Sequence, residues 1–221
     1  MKTALYLLPI LAVTVTLLIR AEFRGQRRQI YLLKPISTLL VIAMALLSLL
    51  EPGWNRTYTL GVLLGLLFSL GGDIALMFMD NRRAFLLGLA SFLVAHVVYT
   101  LVFTLLGQPA PWDWLSAVLL LAAGAFVFRL LLPNLGSMKV PVIVYILVIS
   151  LMVHQALTVF SSPLFSPEQA WMVGIGALLF YFSDLVLALN RFYKPLKNHR
   201  LSLALYYGGQ MLIALAGCYF S

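Results

Sequence analysis

The sequence predicts an all-α, polytopic membrane protein with eight transmembrane helices and both termini on the outside. Three observations carry this. Of 221 residues, 62% are hydrophobic and only 10% charged, with a mean hydropathy of +1.00; a soluble domain runs about 45–50% apolar and roughly 25% charged. The apolar residues fall into eight runs near the ~20 residues that cross a bilayer. The basic residues collect in alternate loops. A water-soluble globule of this size has nowhere to bury so much apolar surface. That excludes a soluble enzyme, a disordered chain and a nucleic-acid-binding module.

The eight spans are expected at residues 3–19, 33–50, 57–79, 84–106, 113–132, 140–160, 168–189 and 201–220. The breaks hold Arg20 to Arg28, Glu51-Pro52-Gly53, Asp80-Asn81-Arg82-Arg83, Gly107 to Pro111, Pro133 to Lys139, Ser161 to Pro167, and Asn190 to Arg200. No loop is long enough to fold alone, so residues 1–221 read as a single transmembrane helical domain. The first span is not read as a signal peptide. Only Lys2 precedes it, no small-x-small cleavage site follows, and Arg20, Arg24, Arg27 and Arg28 anchor its far end.

Orientation follows from charge. The side reached after the first helix receives Arg20, Arg24, Arg27, Arg28, Lys34, Arg82, Arg83, Arg129, Lys139, Arg191, Lys194, Lys197 and Arg200. The other side receives Lys2 and Arg56. Excess Lys and Arg mark cytoplasmic loops. The net charge of +8 is therefore mainly a topology signal, not the mark of a nucleic-acid partner. The basic loops are expected in the cytoplasm, and the protein in a bacterial inner (cytoplasmic) membrane. The lone Cys218 excludes an internal disulfide and a cysteine-based metal site.

Of seven acids, Glu22, Glu51, Asp80, Asp113 and Glu168 fall in loops or at span ends. Asp73 and Asp184 lie inside hydrophobic runs. A carboxylate in hydrocarbon costs several kcal/mol, so such residues face a bundle interior or a water-filled cavity. Asp73 is seven residues before Asp80, and Asp184 seven before Arg191. At 1.5 Å per residue, both are expected about 10 Å above the inner ends of their helices. Gly61, Gly65, Ser69 and Asp73 recur every four residues, a small-residue ridge suited to close helix packing.

Other polar residues converge on these levels. Phe85, Gly88, Phe92, His96 and Tyr99 share one face of the fourth helix. His154 and Gln155 lie in the sixth, and Tyr206, Tyr207 and Gln210 in the middle of the eighth. Lys34-Pro35 opens the second, with proline in the first turn; its amine is placed to reach the aspartates or a substrate phosphate. Ser183 and Asn190 flank Asp184, and His199 is a loop residue without evident role. A weak internal similarity, Gly65 and Gly176 each eight residues before an aspartate, points to a 4+4 parallel pseudo-repeat.

Two buried carboxylates at one depth can be held one neutral and one ionised, the pair needed to protonate a leaving system and activate water. The same pair suits a proton relay, which makes a small proton-coupled transporter the rival reading. No metal or other cofactor is expected: there is no H-x-x-x-H or comparable cluster, and no G-x-S-x-G nucleophile motif.

Taken together, Lys34-Pro35, Gly72-Asp73, the Phe85 to Tyr99 stripe, Gly176 to Asp184 with Asn190-Arg191-Phe192, and Tyr206-Tyr207-x-x-Gln210 resemble the YhhN family. That family includes the mammalian lysoplasmalogenases. The resemblance covers helices two to eight. It implies an eight-helix membrane hydrolase that cleaves the vinyl ether bond of a lysoplasmalogen to a fatty aldehyde and glycerophosphoethanolamine or glycerophosphocholine. Its partners would be that lysophospholipid and the surrounding membrane lipids. The family's two aspartates would be Asp73 and Asp184. Asp184, in the more apolar surroundings, is expected to be the general acid. His96 and Tyr99 are expected to orient water or an aspartate.

Overall fold

Short polar capping signals start three of the long apolar helices. Asn55 accepts the Tyr58 amide to open α3 (Arg56–Leu76), and Asn81 accepts the Arg83 and Ala84 amides to open α4 (Arg82–Leu106). Ser166 and Gln169 close a capping box on α7 (Pro167–Phe192), whose first position is proline. Each cap satisfies amides that would otherwise enter the bilayer unpaired. The remaining helices are α1 (Leu8–Phe23), α2 (Arg27–Leu47), α5 (Asp113–Leu131), α6 (Lys139–Thr158) and α8 (Ser202–Ala216). Several continue into a 3₁₀ turn. These elements come from a computed structural model that describes residues 2–220; Met1 and Ser221 lie outside them.

All eight expected spans are present as helices long and apolar enough to cross a membrane. Arg27 pairs with Asp80, Arg82 bonds Ser137 and Arg200 pairs with Glu22, so the basic loops share one face of the bundle. All four tryptophans, Trp54, Trp112, Trp114 and Trp171, lie at the opposite face, each exposed. An interfacial belt of this kind suits a headgroup layer. The lipid-facing surface is leucine-rich: Leu60, Leu64, Leu67, Leu101, Leu105 and Leu119 are all exposed.

Three expected boundaries are corrected. α2 begins at Arg27, so Pro35 lies inside the helix and not in its first turn. Its ring removes one backbone donor. α1 likewise runs on to Phe23, because helices can project past the hydrocarbon into the headgroup layer. α3 ends at Leu76, and 77–80 are turns. The apolar Met77-Phe78-Met79 extends the hydrophobic run without extending the helix. Asp73 is therefore three residues from its helix end and Asp184 eight. The expected match of depth does not hold along the helix axes.

Two helix pairs pack most closely. The ridge on α3 meets the aromatic stripe on α4: a Cβ on Gly72 would stand 2.6 Å from the Phe92 ring, and one on Gly88 2.7 Å from Leu76. At the α7–α8 crossing, a Cβ on Gly209 would lie 2.6 Å from the Gly176 carbonyl oxygen. Small residues let these backbones approach, the usual basis of helix association in lipid. By contrast, α5 buries only Gly124 and Leu131 and leans mainly on α6.

Candidate active site

Asp73 is buried where α2, α3 and α8 meet. The α2 residues Lys34 and Thr38, one helical turn apart, both reach it. Its Oδ2 accepts hydrogen bonds from the Thr38 hydroxyl at 2.6 Å and the Tyr206 hydroxyl at 2.7 Å. Its Oδ1 lies 3.4 Å from Lys34 Nζ. The Lys34 side chain is 11% exposed and that of Asp73 2%, so this is a buried ion pair supported by two hydroxyl donors. Tyr207 braces it, donating to the Lys34 carbonyl oxygen at 3.0 Å. A buried charge needs this degree of pairing.

Asp184 is supported differently. The Tyr145 hydroxyl of α6 donates to its Oδ2 at 2.5 Å. His96 Nε2 of α4 stands 3.7 Å from the same oxygen, beyond hydrogen-bond range. His96 is fully buried, and neither ring nitrogen has a hydrogen-bond partner. Its ring packs on Phe180, with centroids 4.6 Å apart, and edge-on to Tyr145. Among the described residues no Lys or Arg forms an ion pair with Asp184. One aspartate thus has its charge compensated, and the other does not.

Both aspartates border one chamber of about 390 Å³. Lys34, Ser183, Tyr206 and Phe92 line its inner part. Glu22, Arg27, Asp80, Asn190, His199 and Arg200 ring its mouth at the basic face. A second, apolar cavity of about 70 Å³ lies between α4, α5, α6 and α7. Phe85, Leu89, Val127, Val142, Ile146 and Ile149 line it, with Tyr145 in its wall. Asp184, Phe92, Leu76 and Leu187 border both cavities.

The structure brings Asp73, Asp184, Lys34, His96, Ser183, Asn190 and Tyr206 to this region. Asn190 lines the chamber and also accepts the Leu196 amide at 2.9 Å, fixing the turn into α8. Tyr207 reaches the region through the Lys34 carbonyl oxygen and, at 3.3 Å, the Thr38 hydroxyl. Tyr99 and Gln210 do not touch either aspartate. The Tyr99 hydroxyl donates to Gln210 Oε1 at 2.8 Å, and Gln210 Nε2 donates to Ser69 at 2.9 Å. His154 lies 2.8 Å from Ser116 between α5 and α6 and, like Gln155, lines neither cavity. His199 borders the mouth. Sequence reasoning missed Thr38, Tyr145 and Arg200. The i, i+4 spacing from Lys34 pointed to Thr38; no local signal pointed to Tyr145.

Among the described residues, no three His, Cys, Asp or Glu side chains group closely enough to hold a metal ion. The arrangement can donate a proton from one carboxyl and hold an anionic carboxylate beside a cation, next to both a polar chamber and an apolar wall.

The chain is 33% identical over 160 residues to lysoplasmalogenase TMEM86A of Bos taurus and equally to that of Homo sapiens, covering 70% of this chain and 64% of each relative. It is 32% identical over 184 residues to lysoplasmalogenase TMEM86B of Mus musculus, covering 83% of this chain and 72% of the relative. The chain thus spans somewhat under two thirds of the length of the TMEM86A relatives. No solved structure matches it. A model of the YhhN family matches residues 29–217, almost all of α2 to α8 and both aspartates, and this integral membrane protein therefore belongs to the YhhN family.

Proposed function

We propose that this protein is a membrane-embedded hydrolase that cleaves the vinyl ether bond of a lysoplasmalogen, releasing a fatty aldehyde and glycerophosphoethanolamine or glycerophosphocholine. The observation that carries this reading is that Asp184 borders a polar chamber and an apolar lobe at once, with Asp73 across the chamber. An amphiphile suits such a site with the near end of its alkenyl chain entering the lobe and its headgroup toward the basic face. The similarity to proteins named lysoplasmalogenases supports the same substrate class. The basic face is read as cytoplasmic from its excess of Lys and Arg.

The chemistry follows from the two environments. Asp184 is the general acid: the Tyr145 hydroxyl occupies Oδ2, which leaves the carboxyl proton on Oδ1. It protonates the β-carbon of the vinyl ether, and the α-carbon becomes an oxocarbenium ion. Asp73, with Lys34 and two hydroxyls holding its charge, is the ionised partner that stabilises this cation. Water adds to the cation and gives a proton to Asp73, forming a hemiacetal. As the hemiacetal collapses, Asp73 protonates the departing glycerol oxygen and Asp184 takes the hydroxyl proton, restoring both groups.

The test is purified protein with a lysoplasmalogen, scored for aldehyde release. Asp73→Asn and Asp184→Asn should each lose about 10²–10⁴-fold, the usual worth of a general acid or base. Folded variants with full activity overturn the assignment. Proton flux driven by substrate in liposomes, with no aldehyde formed, favours the transporter reading instead.

A further inference from the structure

Glu22 and Arg200 form an opposed pair of charges at the mouth of the chamber, and the catalytic scheme uses neither. Glu22 sits in the last turn of α1, and Arg200 in the 3₁₀ turn that leads into α8. Arg200 Nε lies 3.7 Å from Glu22 Oε2, within ion-pair range but too far for a hydrogen bond. That nitrogen is buried and has no hydrogen-bond partner. The guanidinium stacks over the Phe23 ring at 5.6 Å, which holds its plane in place. The side chain as a whole is 33% exposed, so the terminal guanidinium N–H groups stay open to an acceptor at the chamber mouth.

We propose that Arg200 and Glu22 clamp a zwitterionic headgroup, Arg200 taking the phosphate and Glu22 the ammonium; this rests on the site being a lysophospholipid site. Lys34 is engaged by Asp73 at 3.4 Å, so the phosphate falls to the next cation outward. The other mouth pair, Arg27 and Asp80, is 76% and 90% exposed, where ion pairs contribute little. Arg200 precedes Tyr206, the Asp73 partner, by six residues, about 10 Å of helical rise. That spacing suits a vinyl ether carbon beside the aspartates and a phosphate beside Arg200. A bound zwitterion exchanges one long protein ion pair for two shorter charge-assisted contacts. An anionic headgroup without an ammonium meets Glu22 as a like charge.

The experiment compares three substrates with the full chain in detergent: 1-alkenyl-glycerophosphoethanolamine, 1-alkenyl-glycerophosphate and 1-alkenyl-glycerol. Arg200→Gln should raise KM for the phosphoethanolamine substrate at least tenfold more than for the alkenylglycerol, with partial rescue in Arg200→Lys. Glu22→Gln should reduce the preference for phosphoethanolamine over plain phosphate about tenfold. If all three substrates weaken equally, or none does, the clamp is wrong. If wild-type protein releases no aldehyde from any of them, the hydrolase reading fails. The clamp is then judged by equilibrium binding of the non-cleavable 1-alkyl-glycerophosphoethanolamine. A tenfold loss in Arg200→Gln upholds it, and unchanged binding overturns it.

Discussion

Lys34→Met isolates the role of charge at Asp73. The substitution keeps the unbranched apolar stem and removes the cation 3.4 Å from Oδ1. The carboxylate, 2% exposed, is then left with the Thr38 and Tyr206 hydroxyls alone. Breaking a buried ion pair by removing one partner costs about 3–5 kcal/mol. The two remaining hydroxyl donors put this case at the low end, about 3 kcal/mol. Asp73→Asn strands the ammonium instead, but Lys34 is 11% exposed and can draw solvent, so about 2 kcal/mol is expected. The double variant leaves no uncompensated charge and should cost well under the sum, with a coupling of about 2 kcal/mol. Equilibrium unfolding in mixed micelles, followed by helical circular dichroism, measures all four corners of the cycle. A coupling below about 0.5 kcal/mol means that the charges do not interact, and the reasoning that keeps Asp73 ionised fails with it.

Three further outcomes are expected. Tyr145→Phe removes the 2.5 Å hydrogen bond to Asp184 and should lower kcat about 10–100-fold with KM little changed, read by aldehyde release; an unaltered kcat refutes its positioning role. Gly209→Ala places a Cβ 2.6 Å from the Gly176 carbonyl and 3.0 Å from the Phe180 amide, so it should cost about 1–3 kcal/mol. Gly208→Ala meets only Leu179 at 3.5 Å and should be neutral or stabilising, and equal unfolding midpoints for the two would refute this account of the α7–α8 crossing. Ile146→Trp fills the apolar lobe and should raise KM about tenfold for long alkenyl chains relative to short ones; an unchanged chain profile removes the lobe as the tail site.

The eight helices were legible because a bilayer demands long apolar runs, and that demand is stronger than any local propensity. Asp73 and Asp184 were legible for the complementary reason, since an acid in such a run is expensive. Their depth was not, because hydropathy cannot tell the last helical turn of α3 from the apolar turn Met77-Phe78-Met79 that follows. Pro35 suggested a helix start, but α2 accommodates it eight residues in. Tyr145 and Thr38 stayed hidden because hydroxyl side chains are common in membrane helices, and the partner lies on another helix. Tyr99 and Gln210 stood out as polar residues in apolar surroundings. They bond each other and Ser69, so the same cost of burial is met by a structural chain of hydrogen bonds.

The position of Asp184 on the partition between two cavities bears on the direction of the reaction. A bond cut there leaves an oily fragment and a charged fragment on opposite sides of one side chain. One fragment dissolves in the bilayer and the other in water. Each then dilutes into its own phase. Resynthesis would need both to return at once, from two solvents, to the same carboxyl group. Turnover under this scheme is driven forward by partitioning as much as by the chemistry of the bond.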